Sequence, residues 1–309
     1  MATTEAVKVG SRRRTAYAPA PGEVQSGRIG WVLLAPGLFL FVAVMIVPII
    51  QTGWRSLYLW DGITPARWIG FANYVDLVTD RQVRSALLHS AILSIFNCVI
   101  PVSIGLLLAV SLSRTKIRGL QAFRTFLFLP QVISGVAIGI IWKWMYDPSL
   151  GPVNNTLELI GLEEWRRTWL GDFQLALPAV GIVGTWATVG FCMVLFLAGL
   201  QKIPQSLYDA ARVDGASWWG ELRAVTLPGL RNELVVAITI TLIITLRVFD
   251  IVYVTTHGGP GDQTTVPSLL IYLRAFTYGL AGNAAALAVV MALIILTISV
   301  TVNRLGERQ

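Results

Sequence analysis

Six apolar stretches, each long enough to cross a lipid bilayer, constrain the fold of this chain more than any other feature. A hydrocarbon core about 30 Å thick needs roughly 20 residues of helix to cross it. Charged residues make up only 13% of the 309 residues, about half the share of a soluble domain. We therefore predict an all-α polytopic membrane protein with about six transmembrane helices. The predicted helices are Ile29–Ile50, Ala86–Leu112, Phe126–Met145, Leu175–Leu200, Leu234–Thr256 and Ala281–Val302.

The placement of Lys and Arg predicts the orientation of these helices. Cytoplasmic loops of membrane proteins carry an excess of Lys and Arg, and here the excess falls on the two termini and on the loops after the second and fourth stretches. Both termini are therefore predicted to be cytoplasmic. The formal charge of +7 would suggest nucleic acid or anionic lipid in a soluble chain, but in a membrane protein the placement of the charge is more informative. Membrane lipid, and no nucleic acid, is expected as a partner.

The chain divides into a short tail and one membrane domain. Residues 1–27 are rich in Arg, Ala, Pro and Gly, a composition that predicts a disordered cytoplasmic tail. The first apolar stretch, Ile29–Ile50, exceeds the 7–15 residues of a signal-peptide core, so it is predicted to be the first transmembrane helix. Residues 28–309 then form the transmembrane domain.

Metal, disulfide and nucleotide sites are not indicated. Cys98 and Cys192 fall inside predicted helices, and His89 and His257 have no partner at the spacing of metal ligands. A phosphate-binding loop requires a lysine directly after a glycine. No lysine here follows a glycine: they are Lys8, Lys116, Lys143 and Lys202. No cofactor is therefore expected in this chain.

The loop 201–232 is predicted to be a structured elbow of two short helices. Pro204 and Ser206 suit a helix start, and Gly215 suits a helix end in the left-handed conformation. A second helical run, Ser217 to Val225, is predicted to end at Pro228. An amphipathic loop on lipid headgroups is the alternative, which we disfavour because acidic residues are mixed with the basic ones, whereas lipid-surface helices are usually rich in Lys and Arg.

This elbow resembles the cytoplasmic signature of ABC importer permeases. The signature is Glu-Ala-Ala, three residues, Gly, nine residues, Ile, one residue and Leu-Pro. Here the run is Asp209-Ala-Ala, three residues, Gly215, nine residues, Val225, one residue and Leu227-Pro228. Asp209 and Val225 are the two departures, and both preserve charge or shape.

Three further segments are similar to carbohydrate permeases of the maltose type. They are Trp68-Ile-Gly-Phe-Ala-Asn-Tyr74, Phe123-Arg-Thr-Phe-Leu-Phe-Leu-Pro130 with Gly151-Pro-Val-Asn154, and Phe249-Asp-Ile-Val-Tyr253 followed by Gly258-Gly-Pro260. The resemblance implies a bacterial or archaeal inner-membrane permease subunit that pairs with a second, different permease. It also implies a dimer of ATPase subunits that bind ATP and Mg, and an extracytoplasmic binding protein that delivers a sugar.

The same resemblance assigns the elbow a mechanical role. It implies that the first short helix couples the permease to the ATPase, and that ATP binding rocks the helix bundle by this contact. The implied coupling residues are Leu207, Asp209, Ala210, Ala211, Asp214, Gly215, Leu227 and Pro228.

Polar residues inside the apolar stretches are candidates for substrate contact, because polar groups are costly in lipid. Arg247 and Asp250 stand three residues apart in the fifth stretch, with Tyr253 one turn further on. They predict either a polar face toward the translocation pathway or an internal Arg–Asp pair. The remaining candidates, Asn97, Trp142 and Asn283, could instead serve interhelical hydrogen bonding or anchoring at the membrane interface.

The alternatives are a secondary transporter, a membrane-embedded enzyme and a glycerol-phosphate importer. A secondary transporter is expected to show internal repeats and a carboxylate relay, yet Asp250 is the one acidic residue well inside a stretch and no repeat relates the halves. An enzyme needs a nucleophile, dyad or metal constellation, which the sequence does not contain. Because the stretches lack a cluster of cations, a neutral di- or oligosaccharide is favoured over a phosphate ester.

Overall fold

A computed structural model of the chain describes residues 26–113 and 119–307. The chain divides into two units, the first ending at Gln51 and the second beginning at Thr52. The predicted tail 1–27 lies, except for its last two residues, outside the described residues, as do residues 114–118 of the loop after the second apolar stretch.

The described residues are mostly helical, with two short strands. Helix α1 runs through Ser26–Phe41, Val42–Ile46 and Val47–Arg55, and α3 through Arg81–Ser94, Ile95–Val99 and Ile100–Ser113. The other helices are α2 (Ala72–Thr79), α4 (Leu120–Val132), α5 (Gly135–Met145), α6 (Pro152–Leu159), α7 (Ala176–Leu200), α8 (Gln205–Val213), α9 (Trp218–Gly229), α10 (Arg231–Leu246), α11 (Asp250–Thr255), α12 (Pro267–Tyr272, continued by Leu273–Thr277) and α13 (Ala281–Glu307). A short turn of helix covers Glu163–Trp165.

Four of these helices are individually long and apolar enough to cross a membrane, namely α1, α3, α7 and α13. Two bent pairs, α4 with α5 and α9 with α10, bring the number of spans among the described residues to as many as six. The predicted fold class is confirmed, but two of the six spans are broken instead of straight.

The predicted third helix, Phe126–Met145, is wrong as a continuous element. The chain turns by 103° between α4 and α5. Ile133 adopts an extended conformation, and the Ser134 hydroxyl accepts a hydrogen bond from the backbone N–H of Ala137 (3.3 Å). A serine cap of this kind starts a new helix, so α5 begins at Gly135.

The predicted fifth helix, Leu234–Thr256, is also wrong as a continuous element. Helix α10 ends at Leu246, and the backbone at Phe249 (φ −134°, ψ −57°) is not helical before α11 begins at Asp250. A carboxylate in the first turn of a helix is favoured by the positive end of the helix dipole. The sequence suggested that Arg247 and Asp250 share one face of a continuous helix. Because the helix is broken between them, they do not.

Helices α3 and α7 pack at close range through glycines. A Cβ atom on Gly105 would lie 2.6 Å from Cβ of Cys192, and one on Gly181 would lie 2.5 Å from the ring of Phe96. Only glycine allows backbones this close, a common device between membrane helices. The core around this contact includes Met193 and Phe196 of α7, both fully buried.

A short hairpin packs against the start of α13. Its strands, β1 (Tyr58–Leu59) and β2 (Arg67–Trp68), pair in antiparallel fashion. The backbone N–H of Gly282 donates to the carbonyl of Trp60 (2.9 Å), and a side chain at position 282 would collide with the carbonyl of Tyr58. Gly282 therefore fixes α13 against the hairpin.

Candidate functional site: the signature helix and the intramembrane breaks

The helix that carries the signature motif, α8, has a defined start and end. We call α8 (Gln205–Val213) the signature helix. Pro204 precedes it in an extended conformation, and Gly215 follows it with φ +76°. The backbone N–H groups of Gly215 and Ala216 donate to the carbonyls of Arg212 (3.0 Å) and Ala211 (2.9 Å). This is the glycine-terminated helix end that the sequence predicted.

The signature helix presents two different faces. Gln205, Tyr208 and Arg212, at spacings of three and four, line a cavity between the helix and the rest of the molecule, with Tyr208 half-buried and the other two partly exposed. On the opposite face Leu207, Ala210 and Asp214 are exposed, and Leu207 leaves 51% of its surface accessible. An exposed leucine beside a small alanine forms a surface that another protein can approach closely.

Polar contacts fasten the signature helix to α9. The Arg212 Nε donates to Oε1 of Glu221 (2.9 Å), whose side chain is only 6% exposed. The Tyr208 hydroxyl lies 3.2 Å from the hydroxyl of Thr226. Asp209, at the edge of the exposed face, contacts Arg212 more distantly (3.4 Å). These bonds join α8 to α9, which leads directly into α10.

The end of the motif lies where α9 turns into α10. Leu227 is half-buried and Pro228 exposed, and α9 continues through Pro228 to Gly229 instead of ending there as predicted. The chain then bends by 72° into α10. The two parts of the motif thus occupy separate positions: Asp209–Gly215 on the exposed elbow, and Leu227-Pro228 at its junction with the membrane helix.

A second site is formed where the two broken helices begin. Helices α5 and α11 run side by side in the same direction, since Gly135 contacts Asp250 and Gly139 contacts Val254. A Cβ on Gly135 would lie 3.1 Å from Oδ2 of Asp250. The Asp250 carboxylate therefore sits beside the N-terminus of α5, where the helix dipole favours negative charge. No hydrogen bond or ion pair joins Arg247 to Asp250 within the described part of the chain.

A small, mainly apolar cavity of about 150 Å³ adjoins these breaks. Its described lining contains amide and hydroxyl side chains but no charged one: Asn97, Gln131, Thr188 and Thr245, together with backbone and apolar groups. Asn97 is 9% exposed, and its Oδ1 atom has no hydrogen-bond partner. Buried acceptors are normally satisfied, so this unpaired oxygen stands out among the described residues.

Tyr253 belongs to an aromatic cluster and not to the lining of that cavity. Its ring stacks on Phe249 (5.1 Å between centroids) and meets Tyr272 edge-on (5.4 Å). His257 lies 4.6 Å from the same ring. This cluster begins at Phe249, next to the break before α11.

Trp142 and Asn283, two further candidates, lie apart from the Asn97 cavity lining. Trp142 packs on Tyr146 (5.2 Å) and Trp186 (5.6 Å). The Asn283 Oδ1 accepts from Arg274 (2.5 Å), a buried arginine that also pairs with Asp80. Burial acts to raise the pKa of Asp80, but the backbone N–H of Gln82 and the Arg274 guanidinium outweigh it and lower the pKa.

Sequence reasoning missed several polar residues near these sites. Gln131, Thr188 and Thr245 line the small cavity, and Arg212 with Glu221 fastens the elbow. The available signal was the spacing of Thr241 and Thr245 along one face of a predicted helix. Their hydroxyls bond to carbonyls four residues earlier, which is an ordinary use of threonine in helices.

Comparisons with known proteins agree with this architecture. The family model described as "Binding-protein-dependent transport system inner membrane component" matches residues 101–308. The trehalose/maltose transport system permease protein MalF of Thermococcus litoralis is 31% identical over 284 residues, covering 92% of this chain and 95% of that protein.

Two further comparisons extend the likeness. The lactose transport system permease protein LacF of Rhizobium radiobacter is 36% identical over 251 residues, covering 81% of this chain and 84% of that protein. A solved bacterial alginate ABC transporter, in complex with an alginate pentasaccharide-bound periplasmic protein, contains a chain with 26% identity and a TM-score of 0.79. The match covers 93% of this chain and 96% of that chain.

Proposed function

Because the chain belongs to the family of binding-protein-dependent transport system inner membrane components, we propose that it conducts a neutral di- or oligosaccharide across the cell membrane. It is a multi-pass membrane protein and the permease subunit of an ABC importer that depends on a solute-binding protein. It is a transport subunit and not an enzyme.

The observation that carries the proposal is the exposed face of the signature helix. Leu207, Ala210 and Asp214 are exposed on one side of α8, while Arg212 on the other side is bonded to Glu221. A helix held on one face and free on the other is suited to sit in a cleft of a partner. In the proposed assembly, that partner is a dimer of ATPase subunits that bind ATP and Mg.

The remaining coupling residues have supporting roles in this proposal. Ala211 and Gly215 keep the elbow small enough for close approach, and Gly215 ends α8 at φ +76°. Asp209 offers a carboxylate to the partner at the edge of the exposed face. Leu227 and Pro228 transmit the movement at the 72° bend into α10. The coupling segment is thus 201–232 within a permease domain of residues 28–309.

The translocation pathway in this proposal passes the cavity beside Asn97. An uncharged lining with an unsatisfied amide oxygen suits sugar hydroxyls, and it does not provide the cations that a glycerol phosphate would require. At about 150 Å³, the cavity is smaller than the roughly 300 Å³ at the lower end of ligand pockets. The helices must therefore separate during transport, as alternating access requires.

The other candidates lie outside the lining of this cavity, and their roles in the proposal are separate from it. Asp250 and Arg247 flank the break between α10 and α11, and Tyr253 and Trp142 provide aromatic faces for stacking on a sugar ring. Asn283, bonded to Arg274 at the start of α13, lies in a different cavity, and we assign it to the entrance of the pathway.

The names of the relatives support a sugar as the substrate. One relative is named for trehalose and maltose, another for lactose, and the solved transporter is described as carrying alginate. We extend the sugar class, and not any one of these sugars, to this chain.

The proposed assembly places both termini in the cytoplasm and adds a second, different permease subunit. The basic residues of the termini and of the loop 201–232 support this orientation. A solute-binding protein then docks on the opposite side, where the hairpin β1–β2 and the start of α13 meet.

Reconstitution distinguishes an ATP-driven importer from a secondary transporter driven by an ion gradient. The chain is co-expressed with its permease and ATPase partners, reconstituted in liposomes and supplied with binding protein and radiolabelled disaccharide. Uptake that requires enclosed ATP supports the proposal. Uptake that requires a proton or sodium gradient and no ATP refutes it, and would make Asp250 the centre of a secondary transporter.

A further inference from the structure

A cavity of about 450 Å³ lies behind the signature helix, on the face turned away from the proposed ATPase partner. Gln205, Tyr208 and Arg212 of α8 form one wall. The end of α3, the end of α7 and Arg124 of α4 form the others. This cavity is separate from the small cavity beside Asn97, and no step of the proposed transport uses it.

Two arginines line this cavity, and they differ in whether a carboxylate neutralises them. Arg124 and Arg212 both line it, and no carboxylate is found among its described lining residues. Arg212 is already engaged, since its Nε bonds to Glu221 and its Nη1 lies 3.4 Å from Asp209. Arg124 is different, because its Nε is buried without a hydrogen-bond partner. A buried charged donor left unsatisfied is costly, so the site calls for an added acceptor.

The shape of the lining points to an amphiphilic ligand. Val110 and Leu197, both buried, lie about one helical turn from the ends of α3 and α7 and give the cavity an apolar wall. The arginines and Gln205 lie toward the elbow. Arginine binds phosphate, like carboxylate, in two-point geometry, and basic pockets between membrane helices on the cytoplasmic side receive phospholipid headgroups.

We propose that this cavity binds a phosphate group, supplied by an anionic phospholipid of the cytoplasmic leaflet. The phosphate contacts Arg124, and the apolar wall receives the start of an acyl chain. Bound there, the lipid braces α8 from behind while its opposite face remains free for the ATPase. The inference rests on the proposed function for the cytoplasmic placement of α8, and it adds a dependence of coupling on lipid composition.

The test uses the transporter assembled with its ATPase, in nanodiscs of phosphatidylcholine with or without phosphatidylglycerol. Native mass spectrometry measures the lipid that the complex retains. Thermal unfolding gives the midpoint temperature at which the complex melts. Wild type and the control Arg223→Gln, an exposed arginine of α9, are expected to retain phosphatidylglycerol and to melt higher in its presence. Arg124→Gln is expected to retain about tenfold less phosphatidylglycerol, because it loses one charge-assisted contact to the phosphate.

A second variant keeps the test informative if Arg124→Gln folds poorly. Gln201→Glu places a carboxylate in the cavity, so it is expected to melt higher without phosphatidylglycerol and to lose the response to it. Inorganic phosphate added to phosphatidylcholine discs identifies the source. If it raises the wild-type midpoint as much as the lipid does, the site takes free phosphate.

The proposal is overturned if Arg124→Gln retains as much lipid as wild type and neither variant changes the response to lipid or phosphate. Recovery of the ATPase with each variant is measured in the same samples. A missing ATPase in wild type counts against the proposed function, whereas an ATPase present without any anion response counts only against this cavity.

Discussion

The Arg212 Nε donates to Oε1 of Glu221 over 2.9 Å, and this bond joins the signature helix to the helix that leads into the membrane. Glu221 is almost fully buried, whereas Arg212 is half-exposed. The pair therefore joins α8 to α9, and in the proposed function it lets the elbow move as one body when a partner moves α8.

Replacing Glu221 by Gln is expected to weaken this connection. Losing one charge-assisted bond costs about 1.5 kcal/mol, which corresponds to a roughly tenfold loss in the population of the fastened elbow. Sugar uptake per ATP hydrolysed, measured in proteoliposomes, should fall while membrane insertion is unchanged. Glu158→Gln, in an exposed pair with Arg166, is the matched control. Equal coupling in the two variants would show that the Arg212–Glu221 bond transmits nothing.

Gly215 is expected to act through its backbone alone. It has φ +76°, and no atom lies within 4 Å of a Cβ built on it, so only the left-handed conformation opposes a side chain. Gly215→Val should lower the free energy of unfolding by about 1–2 kcal/mol and reduce sugar uptake strongly. Gly215→Asn should have a mild effect, because Asn tolerates the left-handed backbone conformation. Sugar uptake is measured for both variants and is expected to be lower for Gly215→Val. If Gly215→Asn is equally defective, the position acts as a contact surface for a partner and not through its backbone conformation.

Gly184→Ala is expected to disturb the Asn97 cavity. A Cβ at position 184 would lie 2.2 Å from Oδ1 of Asn97, so the amide must rotate away from its present position. Transport should fall several-fold with little change in the amount of folded protein. Gly37→Ala, where no atom lies within 4 Å, controls for the general effect of the substitution. Normal transport by Gly184→Ala would remove Asn97 from the pathway.

The pair of Asp80 and Arg274 predicts a pH dependence of stability. The folded-state pKa of Asp80 is lowered, so the pair stabilises the protein above the ordinary pKa of about 3.9 and this contribution is lost as pH falls through the lowered value. Asp80→Asn retains a residue suited to cap α3 but loses the charge. It should lower the free energy of unfolding by about 2 kcal/mol at neutral pH. Thermal unfolding across pH should show the wild-type midpoint converging on that of Asp80→Asn in acid. Parallel curves would contradict the ion pair.

The elbow was predictable because its signals are local. Pro204, the alanines and Gly215 each act within one or two turns, and the helix they predict is the one observed. The membrane class followed equally from the length of the apolar stretches, a property that no tertiary contact alters.

The broken helices were not predictable in the same way. Hydropathy is continuous through Ile133 and through Val248, so the fifth stretch looked like one helix bearing Arg247 and Asp250 on one side. The Ser134 cap is a local signal for the first break, but the packing of α5 on α11 through Gly135 and Gly139 is a tertiary contact that hydropathy does not report. The pairing of Asn283 with Arg274 likewise depends on the approach of α12 to α13, which no local pattern reports.

Site-specific cross-linking tests the central claim most directly. A photo-reactive amino acid is placed at Leu207 or Ala210 on the exposed face of α8, and in parallel at Gln205 on its inward face, in cells that co-express the ATPase. We expect the first two positions to capture an ATP-binding subunit, in a yield that changes when ATP is trapped, and Gln205 to capture none. Capture of no ATPase from Leu207 or Ala210, in a complex that still transports the sugar, would contradict the account.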